Sequence, residues 1–353
     1  MFKNILFSII TLLTIFVFFE LIIRIFFPAY NYNAIFYEKN DFHKVFKGVD
    51  TFFSKNSITD KFLIRVKNKD ENKDILKNKK KIIFIGDSIS IGYGVKYEEN
   101  YIELVNSKVG KKYQVIGLSN LNRDYIHITN AISEDLASIL NEGDKVIYQF
   151  SYNDIIPNDY HYKETLKNKD TKVTKTVFKK FQKIKFKYLN HSSLIKFLNY
   201  HFSLLNQDIN GECLDRKYSS LGQYTFAFFS EGFEKQSEIS WLNFRNKIKQ
   251  TEDLLSKRKI DFKILISPIS LQLKYHQSSN KLNFDMRCSK KNGYTYLRSL
   301  ILDNKIGLID PLYLFKEAET DRSRKLFHEF DTAHFNKFGH ELLAEEVFKQ
   351  IIN

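Results

Sequence analysis

KIIFIGDSISIGYGV, residues 81 to 95, decides the fold. Ile82, Ile83, Phe84 and Ile85 form an unbroken apolar run between lysines on one side and Gly86-Asp87-Ser88 on the other. An alternating pattern would leave one face for water, whereas a continuous one buries both faces, as a strand inside a parallel sheet must. Runs of the same kind recur at YQVIGL (113–118), KVIYQF (145–150), FKILIS (262–267) and IGLID (306–310). Helical periodicity lies between and after them, at 101–109, 125–140, 234–256, 294–302 and 336–352. Strands alternating with helices in this way predict a doubly wound parallel sheet.

In such a sheet the turn after a strand lies at its carboxyl end, where ligand crevices form. Ser88 stands in that turn, and the amides and dipole of the following turn favour a developing negative charge. Gly-Asp-Ser alone is a short signal, and a helix-capping turn would read the same way. The far end of the chain adds to it. FDTAHFNKFGHELLAEEVF puts Asp331 three residues before His334, just ahead of the last helix. A serine hydroxyl needs an imidazole to take its proton, and the imidazole needs a carboxylate to fix its tautomer and stabilise its charged form. Asp-x-x-His supplies both from one loop. His328 and His340 are the local rivals: His328 lies outside that spacing, and His340 falls along the last helix.

Two further sites lie after predicted strands. FSYND places Asn153 after the third strand, where its amide is expected to face a carbonyl oxygen held near Ser88, and VIGLSN offers a backbone amide after the second. Taken together these segments resemble the SGNH, or GDSL-like, hydrolases. GDSISIGYGV resembles that family's first block, with Ser88 at the nucleophile. FSYND resembles the third, usually Gly-x-Asn-Asp, with Asn153 as an oxyanion donor. DTAHFNKFGH resembles the fifth, with Asp331 and His334 completing a triad. Two positions depart from the pattern. Ser151 stands where glycine is usual, and in the second block the best register places Ser119 at the glycine amide, with Gly117 two residues earlier. The resemblance covers roughly residues 80 to 353. It implies a flavodoxin-like three-layer α/β/α sandwich with a five-stranded parallel sheet. It also implies hydrolysis of an acyl or acetyl ester, with an oxyanion hole from Ser88, Ser119 and Asn153 and no need of a metal or organic cofactor. The same site could instead serve an O-acyltransferase acting on envelope polysaccharide, or survive as a non-catalytic binding module.

Ahead of this domain, residues 5 to 19 read ILFSIITLLTIFVFF, and apolar residues continue to Phe27. At ~1.5 Å per residue the stretch from Asn4 to Phe27 is long enough for a ~30 Å hydrocarbon core. Glu20 and Arg24 interrupt it at i,i+4 spacing, where they can pair. A cleaved signal peptide is the alternative, but the bulky, aromatic exit RIFFPAYNYNA favours an uncleaved anchor. Residues 1–28 are therefore expected as a transmembrane anchor and 29–79 as a juxtamembrane stalk. The hydrolase domain is expected over 80–353 outside the cytoplasm, with an insertion at about 155–230. That insertion opens with ten lysines between Lys163 and Lys187. They suit a solvated helical face, or a lid or membrane-facing surface.

Composition sets the outer limits. With 353 residues and 43% hydrophobic content the chain can bury a substantial core. Its net charge of +14 is spread along the sequence without a nucleic-acid-binding motif, so no nucleic-acid partner is expected. The partners expected are the membrane and an acylated small molecule, glycan or lipid. Cys213 and Cys288 are the two cysteines, too few for a thiolate metal cluster; they could pair or remain thiols.

Overall fold

The computed structural model describes residues 2–26, 52–55, 62–68, 79–119, 124–155, 192, 194, 195, 198, 238–270, 272, 273, 293–320, 325–328 and 333–352. Two compact units share the chain, one of Met1–Asp50 with Glu164–Asp208, the other of Thr51–Lys163 with Ile209–Asn353.

The second unit is built on strands β1 (Phe52–Lys55), β2 (Leu63–Val66), β3 (Lys81–Gly86), β4 (Gln114–Ser119), β5 (Lys145–Phe150), β6 (Asp261–Ile266) and β7 (Gly307–Ile309). They form one sheet in the order β1-β2-β4-β3-β5-β6-β7. Strands β3 to β7 pair in parallel, as the apolar runs predict. The sheet is nevertheless mixed and seven-stranded, not five-stranded: β2 pairs antiparallel with β4, and β1 antiparallel with β2. Residues 29–79, expected as a stalk, thus supply two strands, and the compact unit begins at Thr51 rather than near Lys80. FFSK and LIRV are four residues each, too short for periodicity to reveal. Their effect is to cover the edge that β4 would otherwise expose.

Side chains of the central strands alternate between two apolar layers. Ile82 and Phe84 of β3, with Val115, Ile147, Leu265 and Ile309, pack against three helices. These are α3 (Tyr101–Val109), α7 (Leu312–Thr320) and α8 (Lys337–Ile352), through Val105, Phe315, Leu343 and Val347. Ile83 and Ile85, with Ile116, Val146 and Ile264, face α4 (Tyr125–Asn130), α5 (Glu238–Lys257) and α6 (Gly293–Asp303) through Ile128, Phe244, Ile248 and Leu297. Each such isoleucine, fully buried, contributes roughly 1.5 to 3 kcal/mol, which is why the β3 run tolerates no polar member at its centre. Lys81, at its start, is fully buried and stays tolerable through Asp144, whose Oδ1 accepts from the Lys81 amide at 2.8 Å and whose Oδ2 lies 3.3 Å from Nζ.

The helix expected over 125–140 is α only to Asn130 and continues as a π-helical segment, Ala131–Leu136. Hydroxyls of Thr129 and Ser133 bond back to carbonyls three and four residues earlier, the kind of competition that loosens a helical ladder. Helix α7, ahead of the last helix, was not expected from the sequence.

In the first unit α1 (Phe2–Phe26) spans 25 residues. Among the described residues no helix is long and apolar enough to cross a membrane. The transmembrane helix expected over residues 1–28 is therefore not found among the described residues, and Glu20 and Arg24 interrupt the apolar run. Glu20 and Arg24 pair, Nε to Oε1 at 2.7 Å. Glu20 Oε2 also accepts from Ser192 Oγ at 2.7 Å and from the Leu194 amide at 2.9 Å, so this carboxylate caps a second piece of the same unit. Apart from Ile155 and residues 192, 194, 195 and 198, the 155–230 insertion lies outside the described residues, as do Cys213 and Cys288.

Candidate active site

Strand β3 is the switch point of the sheet: the chain leaves it for β4 on one side and returns to β5 on the other. A crevice opens at the carboxyl ends of such strands, and three of the expected site residues, Ser88, Ser119 and Asn153, lie at or just after the ends of these three. Ser88 opens the one-turn helix α2 (Ser88–Ile91) directly after β3. Ser119 is the last residue of β4, buried and in register with Gly86. Asn153 lies in the 3-10 turn Tyr152–Ile155 that follows β5; its side chain lies outside the described set.

His334 reaches Ser88 from the loop before α8. Its Nε2 is 2.8 Å from Ser88 Oγ, hydrogen-bonding distance for a hydroxyl donating to an unprotonated ring nitrogen. Asp331 lies outside the described residues. The loop is held locally. Phe327 and Phe335 form an antiparallel bridge, and the His328 amide donates to the His334 carbonyl at 3.1 Å. Asn336 caps α8 by accepting from the amides of Phe338 and Gly339, while its Nδ2 donates to the Lys325 and Phe327 carbonyls. Gly339 is required because a Cβ there would overlap the Leu326 carbonyl oxygen. The Tyr93 ring lies against the His334 imidazole, centroids 4.3 Å apart.

The two rival histidines occupy other roles. His340 is buried, its Nδ1 accepting from the Tyr101 amide at 3.2 Å and its ring stacked on Tyr101. Burial first, and then the Arg65 charge, hold its pKa well below the usual histidine value, so it stays neutral. His328 packs on Gly94, where φ of +86° and the absent side chain both matter, since a Cβ would overlap the imidazole. Among the described residues, the imidazole bonded to Ser88 is that of His334.

Beneath Ser88 lies a buried polar network that the sequence did not disclose. Asp87 caps α2, its Oδ1 accepting from the Ile89 amide at 3.0 Å. Burial raises its carboxyl above the usual range, opposed by the Ile89 amide, Ser151, His334 and Gln149. Gln149 of β5 is fully buried and satisfied at all four positions. Its Oε1 accepts from the Asp87 amide at 3.2 Å and Ser90 Oγ at 3.0 Å, and its Nε2 donates to Ser151 Oγ at 2.7 Å and Ser267 Oγ at 3.0 Å. Gly86 leaves room for it, since a Cβ would stand 2.5 Å from Gln149 Oε1 and 2.6 Å from Ser90 Oγ. Ser151, in place of the glycine usual in the resembled block, turns its hydroxyl into this network. Asp154 fixes the turn that carries Asn153, accepting from the Ser151 amide at 3.0 Å and Tyr148 Oη at 2.9 Å. Burial and the nearby Asp87 charge push its carboxyl well above the usual range. The one trace of this network in the sequence is a glutamine inside an otherwise apolar strand.

No protein-family model matches the chain, and no curated protein does. Among solved structures it is similar to a member of the lipolytic protein G-D-S-L family from Veillonella parvula, at 12% identity over 76% of this chain and 96% of that one, with a TM-score of 0.40. It is similar to a catalytic mutant of an acetylxylan esterase from Geobacillus stearothermophilus, at 10% identity over 78% and 97%, with a TM-score of 0.41. A lipase/acylhydrolase from Enterococcus faecalis gives 12% identity over 77% and 95%, with a TM-score of 0.37.

Proposed function

We propose that this chain is a serine esterase of the SGNH type. The observation that carries this reading is the 2.8 Å contact between His334 Nε2 and Ser88 Oγ at the switch point of the sheet. In the proposed reaction His334 takes the Ser88 proton as Oγ attacks an ester carbonyl, and Asp331 fixes the imidazole and balances its charge. The Ser88 and Ser119 amides and the Asn153 side chain hold the oxyanion. His334 then gives its proton to the departing alkoxide, and water attacking the acyl-enzyme by the same base releases the acid.

The substrate class proposed is an acyl or acetyl ester on an envelope glycan or lipid, met at a membrane surface. Support for that location comes from α1, which leaves Phe7, Leu12, Val17, Phe18 and Ile25 exposed, and from the apolar sequence around them. A single N-terminal anchor with the catalytic domain outside the cytoplasm fits that placement.

The test is labelling with a fluorophosphonate, which requires an activated serine. The wild type is expected to take the label at Ser88 and to hydrolyse short-chain aryl esters, and Ser88→Ala to lose both. Hydrolysis retained in Ser88→Ala would refute the assignment. Acylated sugar formed in preference to free acid, with a sugar acceptor present, would move the reading to the transferase.

A further inference from the structure

We propose that Arg65 is a positioning residue of the Ser88 site: from β2 its guanidinium holds three carbonyls of the turn that carries Tyr93 against His334. This inference rests on the esterase reading above.

Helix α2 is a single turn, and one turn in isolation cannot stabilise itself, because nucleation costs more than one hydrogen bond returns. Its persistence depends on partners for its terminal groups. At the start, Asp87 takes the Ile89 amide. The carbonyls of Asp87, Ser88 and Ile89 are taken by the amides of Ile91, Tyr93 and Gly92, and that of Ser90 by Asn100 Nδ2. The Gly92 carbonyl accepts from the Val95 amide at 3.2 Å, and those of Ile91 and Val95 remain. Arg65 reaches all three, adding a second donor at Gly92: Nη1 donates to Ile91 O at 2.8 Å and Gly92 O at 3.0 Å, and Nη2 to Val95 O at 2.6 Å.

The arrangement suits a guanidinium and little else. A planar fork with several fixed donors can bridge carbonyls that one ammonium cannot span together. Gly92, in the left-handed region at φ +73°, leaves the space, since a Cβ there would stand 2.5 Å from Arg65 Nη1. Arg65 is 6% exposed, and a buried charge is tolerable only with such bonds. Burial lowers its pKa to about 10, so it remains charged near neutral pH. The consequence reaches Ser88 by a short path. The bridged turn contains Tyr93, whose amide bonds the Ser88 carbonyl at 3.1 Å and whose ring packs on His334. Strand β2 lies outside the five parallel strands and brings Arg65 to this turn.

The experiment measures the rate of fluorophosphonate labelling of Ser88, steady-state ester hydrolysis and thermal melting in the full chain, as wild type, Arg65→Lys and Arg65→Ala. A slip of the nucleophile or base by an ångström can cost roughly a hundredfold. Arg65→Lys is therefore expected to label about ten- to a hundredfold more slowly, with the loss in kcat rather than KM and cooperative melting retained. Arg65→Ala is expected to be slower again and to regain rate with guanidinium at millimolar concentration but not with sodium chloride, a response a merely structural role would not give. Wild-type rates in both variants overturn the inference, as does slow labelling in a folded Arg65→Ala that guanidinium does not restore. If Arg65→Ala does not fold, Arg65→Lys decides alone. Loss of cooperative melting in both variants also overturns it, because Arg65 would then serve the fold at large. A wild type that takes no label at Ser88 overturns the esterase reading itself, and the two failures are thereby distinguished.

Discussion

His340 shows how one buried side chain links the site to pH. Its Nδ1 takes the amide at the start of α3, and the neutral ring packs between Tyr101 and Phe335. Its folded pKa lies well below 6.5, so the unfolded chain takes up a proton that the native state refuses. The stability it contributes is complete above that value and falls as pH drops through it towards the lower folded value. Asp87 and Asp154 work in the opposite direction. Their raised carboxyls hold protons that the unfolded chain has released, so they favour the native state as pH falls toward the ordinary carboxylate range. Comparing wild type with His340→Asn separates the two effects, because the asparagine oxygen can accept from the Tyr101 amide and does not titrate. Between about pH 7 and about pH 5.5 the melting temperature of the wild type is expected to fall relative to that of His340→Asn; parallel curves would sink the assignment. The sequence singled out Ser88 and His334 as candidate nucleophile and base because they sit in segments whose spacing carries information. The roles of Arg65, Gln149 and Ser151 were not legible, although Gln149 and Ser151 stood out in the sequence, because a lone polar residue in or beside an apolar run says nothing of which distant atoms it will meet.

At the scale of elements, the loop before α8 holds the candidate base His334 in place, and Asn336 is its pin. Asn336→Ala removes both the helix cap and the donors to the Lys325 and Phe327 carbonyls. The lost cap alone is expected to cost about 1 kcal/mol, and fluorophosphonate labelling should slow as His334 loses its fixed place. Asn336→Asp keeps an oxygen for the cap but has no donor for the carbonyls. It is expected to recover melting temperature more than labelling rate, and equal recovery of both would argue against the two roles. Elements with six-residue apolar runs were readable, and β3 and β5 coincide with the predicted runs. Strands β1 and β2 were not, because four residues are too few for a period and their stability comes from pairing with β4. The switch to π geometry after Asn130 depends on hydroxyl bonds within the folded helix and has no signature in the apolar pattern.

At the scale of the whole molecule, α1 presents large apolar side chains to its surroundings. Each large apolar side chain that moves from water into lipid contributes roughly 1.5 to 3 kcal/mol, and α1 exposes several. The full chain is expected to sediment with lipid vesicles, and a variant lacking residues 2–26 to stay in the supernatant while retaining Ser88 labelling. A full chain that remains in the supernatant would end the proposal of a membrane anchor. The sequence by itself determined the parallel α/β core, through continuous apolar runs that can be satisfied only by burial on both faces. It also pointed to Ser88 and His334 as candidate nucleophile and base, through residues whose chemistry is local to short segments. Only the tertiary structure decided that the sheet carries two antiparallel strands and that His340 is a neutral packing residue. It alone brought Arg65, Gln149 and Asp154 around Ser88 and its neighbouring turns. The physical reason is that apolar periodicity is a property of neighbouring residues, whereas a buried polar group finds its partners across the fold, as Arg65 does 26 to 30 positions away and Gln149 does at Ser267, 118 positions away.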